Sequence, residues 1–274
     1  MGLLPVPPGL VHVPLRPPPA SRLAMKRTLL LLMLDVALCI PCLAAEKDAP
    51  ALRAGAAADV TPNELHKPDG KQAEKSPWPK SERYEKQILA FEAADKTSPP
   101  PQNGILFTGA SNIVGWKTLA EDFPGLPVIN RGFGGSHIAD CTFYADRIVI
   151  PYKPRVIVFR TGGNDINAGK TPEEVAADFQ AFAEKVHGAL PETRIVFWSM
   201  TPSVKRLAGW EREKKGNELI RAYIAGGKNM VYLDTVDATL GPDGKPRAEL
   251  YTDGLHFNRE AFKMFAKIIR PCLE

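Results

Sequence analysis

The sequence predicts an α/β fold in which helices cover both faces of a mostly parallel sheet. Short apolar stretches with β character alternate along the chain with longer stretches of helical periodicity. Such alternation implies right-handed crossovers between parallel strands, and therefore helices on both faces of the sheet. The composition is ordinary for a globular protein, since 44% of the 274 residues are hydrophobic and 24% are charged.

Five apolar stretches are expected to form the strands, at residues 105–108, 128–130, 155–160, 194–200 and 230–233. Helical patterns lie between the strands, and the clearest begins with Thr171-Pro172-Glu173-Glu174. Thr171 and Glu174 suit a capping box, and Pro172 suits the first helical position. One apolar stripe follows at helical spacing: Val175, Phe179, Phe182, Val186 and Leu190.

Three further segments are predicted to be helical. A lead-in helix after Ser81 is expected to pack on the body and to end before the prolines at 99–101. A second helix is expected at 205–226, and a last one from near Asn258. The residues expected to pack are, in the lead-in helix, Tyr84, Ile88, Leu89 and Phe91, and in the last helix, Phe262, Phe265, Ala266 and Ile269.

Residues 1–45 have the features of a leader with a secretory signal peptide. Lys26-Arg27 is a short basic region, residues 28–43 are almost wholly apolar, and small residues at 44–45 precede a charged stretch. The apolar run is shorter than the roughly 20 residues of a spanning helix, and Asp35 interrupts it. This predicts a secreted or periplasmic protein without a stable membrane span after cleavage. The alternatives are an uncleaved anchor and a lipoprotein modified at Cys39 or Cys42, although the residues before these cysteines match a lipidation site poorly.

Two further predictions concern the amino-terminal part of the chain. Met25 directly precedes the basic pair, so translation is expected to start there and residues 1–24 to be an extension; a genuine long leader is the alternative. Residues 46–80 are rich in Ala, Pro, Asp, Lys and Gly, which predicts a disordered linker. The remaining residues, 81–274, are expected to form a single folded domain.

Charge and cysteine content exclude several classes of function. Residues 1–45 contribute +3 to the net charge of +4, which leaves a nearly neutral body with no electrostatic footprint for nucleic acid. The body contains no C-x-x-C pair, so neither a zinc site nor a thioredoxin-type site is expected. An oxidising compartment permits a disulfide between Cys141 and Cys272, but free thiols are the favoured expectation.

The polar residues that follow the strands suggest hydrolytic chemistry. Ser111 lies in a small-residue turn after the first strand, Asn164 lies in a glycine turn after the third, and Asp253 precedes His256 by three residues. A serine hydroxyl becomes a useful nucleophile when a histidine takes its proton and a carboxylate orients that histidine. Because parallel sheets form their sites at the carboxyl ends of the strands, Ser111, Gly135 and Asn164 are expected at one rim.

Four short blocks, in order, resemble those of the SGNH hydrolase superfamily, the GDSL esterases and lipases. They occupy residues 109–111 (Gly-Ala-Ser), 130–135 (Asn-Arg-Gly-Phe-Gly-Gly), 162–165 (Gly-Gly-Asn-Asp) and 253–256 (Asp-Gly-Leu-His). The resemblance implies a flavodoxin-like three-layer α/β/α sandwich with a five-stranded, mostly parallel sheet. It assigns catalysis to Ser111, Asp253 and His256, and the oxyanion hole to the backbone N–H groups of Ser111 and Gly135 with the side-chain amide of Asn164. It implies no cofactor and no metal.

The first block departs from the family pattern at two positions. Ala110 stands where an Asp usually precedes the serine, and Asn112 replaces a Leu. The following Ile113 and Trp116 resemble the acetylhydrolase-like branch. Two more residues are possible substrate contacts: His137, for which a solvated loop position is favoured, and Arg131, for which structural pairing is favoured. Asp165 is expected to be structural.

These observations predict a serine esterase that cleaves small-molecule or carbohydrate esters with small acyl groups, acetyl above all, through an acyl-enzyme on Ser111. The same residues would also suit an acyltransferase to sugar hydroxyls, which product analysis with a sugar acceptor would identify. A lysophospholipase or thioesterase is a further alternative. A non-catalytic carbohydrate-binding module of the envelope is the alternative from another class, and the intact Ser111, Asp253 and His256 argue against it.

Overall fold

The structure is a computed structural model that describes residues 80–274. The expected leader and signal peptide at 1–45 lie outside the described residues, as does the expected linker at 46–80 except for Lys80. The domain boundaries drawn from the sequence therefore stay predictions, and so do the start at Met25 and the lipidation alternative at Cys39 or Cys42.

The described residues form a five-stranded sheet in which every neighbouring pair of strands is parallel. The strands are β1 (Ile105–Gly109), β2 (Val128–Gly132), β3 (Val156–Arg160), β4 (Arg194–Trp198) and β5 (Met230–Leu233). Their order across the sheet is β2-β1-β3-β4-β5. β1 and β3 therefore lie side by side near the middle, and the turns that follow them share one edge of the sheet.

Eight α-helices are described: α1 (Glu85–Thr97), α2 (Ser111–Gly115), α3 (Leu119–Asp122), α4 (Ile138–Ile148), α5 (Gly163–Ala168), α6 (Pro172–Ala189), α7 (Trp210–Ala225) and α8 (Arg259–Ile269). Alternate strand residues contribute to two separate apolar layers. Leu106 and Phe159 pack with α4, α6 and α7, whereas Phe107 and Val158 pack with α2, α3 and α8. The predicted three-layer α/β/α sandwich is thereby confirmed.

The predicted helix starts at α6 and α8 are confirmed. The Thr171 hydroxyl accepts a hydrogen bond from the Glu174 backbone N–H (3.1 Å), and the Glu174 carboxylate accepts one from the Thr171 N–H (2.7 Å). The Asn258 side-chain oxygen accepts hydrogen bonds from the N–H groups of Glu260 and Ala261, each at 3.1 Å. These bonds satisfy N–H groups that have no partner within the helix.

Two helix predictions need correction. The helix expected at 205–226 begins at Trp210, because residues 201–206 cross the carboxyl ends of the strands, where the Lys205 N–H donates to the Gly254 carbonyl oxygen (2.9 Å). In the lead-in helix, Ile88 is fully buried while Leu89 is 52% exposed. Adjacent helical residues point about 100° apart, so Leu89 cannot share the buried face of Ile88.

Two further findings concern membrane-spanning helices and the cysteines. Within residues 80–274, no helix combines the length and the apolar character needed to cross a membrane. Cys141 and Cys272 are both free thiols, and Cys141 is buried.

Candidate active site

Ser111 lies at the first position of α2, directly beyond the carboxyl end of β1. The turn requires a glycine at position 109, whose φ is +131°. A Cβ atom there would lie 2.0 Å from the Arg160 carbonyl oxygen of β3. Only glycine permits this close approach of two backbones, and the approach fixes where Ser111 emerges from the sheet.

The three groups expected to form an oxyanion hole are available as donors. Among the described residues, no acceptor pairs with the backbone N–H of Ser111 or of Gly135. Gly135 adopts a φ of +77°, a conformation that favours glycine. The Asn164 amide nitrogen donates one hydrogen to the Ser136 carbonyl oxygen (3.1 Å), which ties Asn164 to the loop of Gly135 and leaves its second hydrogen free.

Asp253 holds His256 by two sets of contacts. The Asp253 Oδ2 atom lies 2.9 Å from the imidazole Nδ1, and Oδ1 accepts hydrogen bonds from the backbone N–H groups of His256 (2.8 Å) and Leu255 (3.0 Å). These hydrogen bonds, the backbone bond of His256 first, hold the pKa of Asp253 well below its usual range. The carboxylate thus stays ionised and forms a hydrogen bond with Nδ1. Nε2 is therefore the nitrogen that remains available to a reacting group.

Asn112 joins the turn of Ser111 to the loop of His256. Its side-chain oxygen accepts a hydrogen bond from the Phe257 backbone N–H at 3.0 Å. No hydrogen bond within residues 80–274 connects Ser111 to His256 directly, but Ser111 and Asn164 line one cleft together with Leu255 and Phe257, the two neighbours of His256. The structure therefore assembles the first, third and fourth sequence blocks around a single cleft, and Ser136 connects the second block to it.

The cleft is small, and its lining combines polar and apolar side chains. Its cavity volume is about 60 Å³, which corresponds to a few water molecules. Sequence reasoning missed two charged residues that line it, Arg206 and Glu213. Arg160 also lines it; the sequence favours structural pairing for this residue over a contact with a charged substrate group. Arg206 and Glu213 lie after β4, in a region that the sequence pattern assigns to one continuous helix, so no local signal pointed to them.

Arg160 and Glu213 are both buried, with 8% and 5% of their surfaces exposed. Arg160 donates from Nη1 to the Ser199 carbonyl oxygen and from Nη2 to the Thr201 hydroxyl, and its guanidinium lies 4.6 Å from the centre of the Trp198 ring. Burial lowers the pKa of Arg160 to about 10 and raises the pKa of Glu213 to about 7. Ionisable groups with shifted pKa values beside a nucleophile are typical of functional sites.

Arg131 lies away from this cleft. Its guanidinium forms an ion pair with Asp95 and donates to the Tyr152 hydroxyl oxygen (2.9 Å), and it stacks near the rings of Phe91 and Tyr152. Arg131 is absent from the cleft lining. Its contacts are those of structural pairing, the interpretation that the sequence favoured.

His137 is buried rather than solvated, which corrects the favoured interpretation of it as a solvated loop histidine. It precedes α4, and its backbone N–H donates to the Asp140 carboxylate at 2.8 Å. Burial, with a smaller effect of Lys170, lowers the pKa of His137. Asp165 lies 3.9 Å from the His137 Nδ1 atom and accepts hydrogen bonds from the Ile138 N–H and from the Lys170 ammonium, which agrees with a structural role.

Residues 102–263 match the model of the family described as "GDSL-like Lipase/Acylhydrolase family". The chain belongs to this family. The resemblance inferred from the four sequence blocks is confirmed, and membership makes the protein a carboxylic ester hydrolase. The family match spans Ser111, Asn164 and His256.

This GDSL-like chain has relatives among the alpha1 and alpha2 subunits of platelet-activating factor acetylhydrolase IB. It is 25% identical to the platelet-activating factor acetylhydrolase IB subunit alpha1 of Bos taurus, over 58% of the chain and 67% of the relative. It is 26% identical to the alpha2 subunit of Gallus gallus, over 62% of the chain and 74% of the relative.

Solved structures share the fold. A Streptococcus pneumonia protein described as a platelet activating factor superposes with a TM-score of 0.63 at 23% identity, over 69% of this chain and 92% of the other. A GDSL-like lipase from Bacteroides thetaiotaomicron superposes with a TM-score of 0.56 at 17% identity, over 70% and 96% of the two chains. Identities this low establish the common fold and no more.

No group of three or more potential metal ligands among His, Cys, Asp and Glu lies together in the described part of the chain.

Proposed function

We propose that the protein hydrolyses esters of small acyl groups, with acetyl preferred, through an acyl-enzyme on Ser111. One observation carries this proposal: Ser111 and Asn164 line the same cleft as the two neighbours of His256, whose Nδ1 is held by Asp253. A nucleophile, a candidate base with an orienting carboxylate, and an oxyanion donor are the groups that acyl transfer needs.

Each of these groups contributes one step to the mechanism. His256 Nε2 takes the proton of the Ser111 hydroxyl while Oγ forms a bond to the ester carbonyl carbon. The resulting oxyanion accepts hydrogen bonds from the N–H groups of Ser111 and Gly135 and from the Asn164 amide. Collapse breaks the bond to the alcohol, which leaves with the proton from His256. Water then repeats the sequence, releases the acid and restores Ser111.

The preference for small acyl groups rests on the size of the cleft and on the relatives. The cleft, with a cavity volume of about 60 Å³, has room for an acetyl group, whereas a long chain would extend out of it into solvent. The Bos taurus and Gallus gallus relatives are named acetylhydrolases, which supports the same preference for this chain. Transfer of the acyl group to a sugar hydroxyl would use the same residues with another acceptor.

The test compares hydrolysis of p-nitrophenyl acetate and p-nitrophenyl octanoate by the wild type, Ser111→Ala and Ser98→Ala. Ser98 is an exposed serine at the end of α1, so its variant controls for the loss of a hydroxyl elsewhere. We expect Ser111→Ala to lose at least about 10³-fold in kcat, Ser98→Ala to match the wild type, and acetate to be the better substrate. Equal rates in Ser111→Ala and the wild type would contradict the proposal.

Secretion is a further proposal, supported by the order of basic, apolar and small residues over 26–45. Mass spectrometry of the amino terminus of the protein purified from its native host tests it. A mature chain that starts close to Glu46 is expected, whereas a chain that retains residues 26–45 would contradict cleavage.

A further inference from the structure

The base of the cleft contains a carboxyl group whose hydrogen-bonding capacity is unused. Glu213, in the first turn of α7, is only 5% exposed and lines the cleft with Ser111. No other residue of the described chain donates a hydrogen bond to its side chain or forms an ion pair with it within 4.0 Å. The residue is largely buried, but its carboxyl oxygens keep some accessible surface in the cleft, so a group bound there can supply the missing donor.

The Glu213 carboxyl adjoins the turn that carries the oxyanion amide. A Cβ atom built on Gly163 would lie 3.4 Å from Glu213 Oε1. Gly163 directly precedes Asn164 in the chain. A group bound to Glu213 is therefore next to the reacting centre and is not at a remote surface.

Two arginines define the charge of this region. Arg160 and Arg206 line the same cleft, and each interacts electrostatically with Glu213. Arg206 uses Nη1 for Asn164 and Gly163, which leaves its other nitrogens without an acceptor among the described residues. The Arg160 Nε atom is also buried without a partner.

This set of groups restricts the chemistry of the ligand. A cationic group would be repelled by two guanidinium ions. An anionic group would have to lie beside the Glu213 carboxyl, and both Nη atoms of Arg160 already donate to Ser199 and Thr201. An apolar chain would leave the Glu213 carboxyl unsatisfied. A neutral hydroxyl fits, because it can donate to Glu213 and accept from Arg206.

We propose that the base of the cleft is a subsite for an aliphatic hydroxyl of the ester substrate, with Glu213 accepting its hydrogen bond and Arg206 donating to its oxygen. This rests on the proposed esterase function and refines its specificity: a hydroxyl on the acyl group would make glycolyl, in place of acetyl, the preferred small acyl group. The hydroxyl belongs either to the acyl group or to the alcohol part of the ester. Different substrates test these two possibilities.

Two pairs of esters separate these sources. p-Nitrophenyl glycolate against p-nitrophenyl acetate tests a hydroxyl on the acyl group, and glycerol monoacetate against propyl acetate tests hydroxyls on the alcohol. Each ratio of kcat/KM is divided by the ratio of the uncatalysed alkaline rates. We expect the wild type to prefer the hydroxylated member of one pair by at least about tenfold, because a site built to bind a hydroxyl discriminates against its absence.

Variants at Glu213 assign the preference to this residue. Glu213→Leu should reduce the ratio to near one, and Glu213→Gln, whose amide oxygen still accepts, should reduce it by a smaller factor. Glu211→Gln is the matched control, since Glu211 is exposed on the same first turn of α7 and should leave the ratio unchanged. If Glu213→Leu fails to fold in circular dichroism, the near-isosteric Glu213→Gln decides the assignment.

A wild type without preference in either pair would overturn the proposal, whatever the variants do. A preference that both Glu213 variants retain in full would also overturn it. Failure of the underlying esterase function has a different signature, because p-nitrophenyl acetate would then be hydrolysed equally by the wild type and Ser111→Ala, or by neither.

Discussion

Arg206 Nη1 donates a hydrogen bond to the Asn164 side-chain oxygen at 2.9 Å, while the Asn164 amide nitrogen donates to the Ser136 carbonyl oxygen at 3.1 Å. The amide that is expected to stabilise the oxyanion is thus held at both ends. Rotation of the amide would break both hydrogen bonds. Arg206 is therefore expected to act through Asn164, as a positioning residue.

Replacement of Arg206 by alanine should lower kcat for p-nitrophenyl acetate about tenfold, with a smaller change in KM. This is less than the about 10²–10³-fold cost of removing an oxyanion donor outright, because Ser136 still holds the amide. Arg206→Lys should recover part of the loss. The control is Arg221→Ala, whose guanidinium pairs with Asp234 on the surface. An increase in KM with unchanged kcat would contradict a positioning role.

Asn112 offers a test of the connection between the turn of Ser111 and the loop of His256. Asn112→Leu removes the acceptor for the Phe257 N–H, whereas Asn112→Asp keeps an oxygen there. We expect Asn112→Leu to lower the free energy of unfolding by about 1 kcal/mol and to lower kcat as well. Urea unfolding and steady-state kinetics measure the two effects. Equal behaviour of the Leu and Asp variants would show that the hydrogen bond contributes to neither.

Glu213 should make stability depend on pH. Burial raises its pKa to about 7 from an ordinary value of 4.5, against the attraction of Arg160 and Arg206, and Tyr251 also faces it. The unfolded chain therefore releases this proton at a lower pH than the folded protein, so the wild type loses stability as pH rises from about 4.5 through 7. Glu213→Gln cannot ionise and avoids this loss.

The difference in unfolding free energy between Glu213→Gln and the wild type should therefore be small at pH 5 and favour the variant by up to about 3 kcal/mol at pH 8. Comparison with the wild type at each pH cancels other titrating groups, such as Asp165, whose pKa burial raises to about 6. Urea unfolding at several pH values measures the difference. A difference that stays constant with pH, as expected for the control Glu211→Gln, would contradict the raised pKa.

Gly109 and Gly188 should respond in opposite ways to substitution by alanine. A Cβ atom at position 109 would meet the Arg160 carbonyl oxygen at 2.0 Å, whereas one at position 188 in α6 meets no atom within 4 Å. Gly109→Ala should destabilise the protein by several kcal/mol or prevent folding, since the backbones of β1 and β3 must separate. Gly188→Ala should stabilise it by about 0.5–1 kcal/mol. Thermal unfolding measures both changes.

The strands and the turns after them could be predicted because their signals are local. The apolar stretch before Ser111 and the glycines around Asn164 are adjacent in the sequence to the residues that they position. Parallel strands bring their carboxyl ends to one edge, so the grouping of these turns required no knowledge of loop paths.

Arg206 and Glu213 could not be found in the same way, because their positions depend on the path of residues 201–206. The predicted helix includes Lys205 and Arg206, yet both residues precede α7, and the Lys205 N–H donates to the Gly254 carbonyl oxygen. The Asn217 side chain secures the preceding turn by hydrogen bonds to both backbone groups of Met200. Such long-range contacts override the local pattern.

The most direct test of the central claim is to identify the serine that acts as the nucleophile. The wild type, His256→Ala and Ser98→Ala would be treated with a fluorophosphonate ester, digested, and mapped by mass spectrometry. We expect one phosphonylated serine in the wild type and in Ser98→Ala, on the peptide that contains Ser111, and strongly reduced labelling in His256→Ala. Labelling of another residue, or no labelling of a protein that hydrolyses p-nitrophenyl acetate, would contradict Ser111 as the nucleophile.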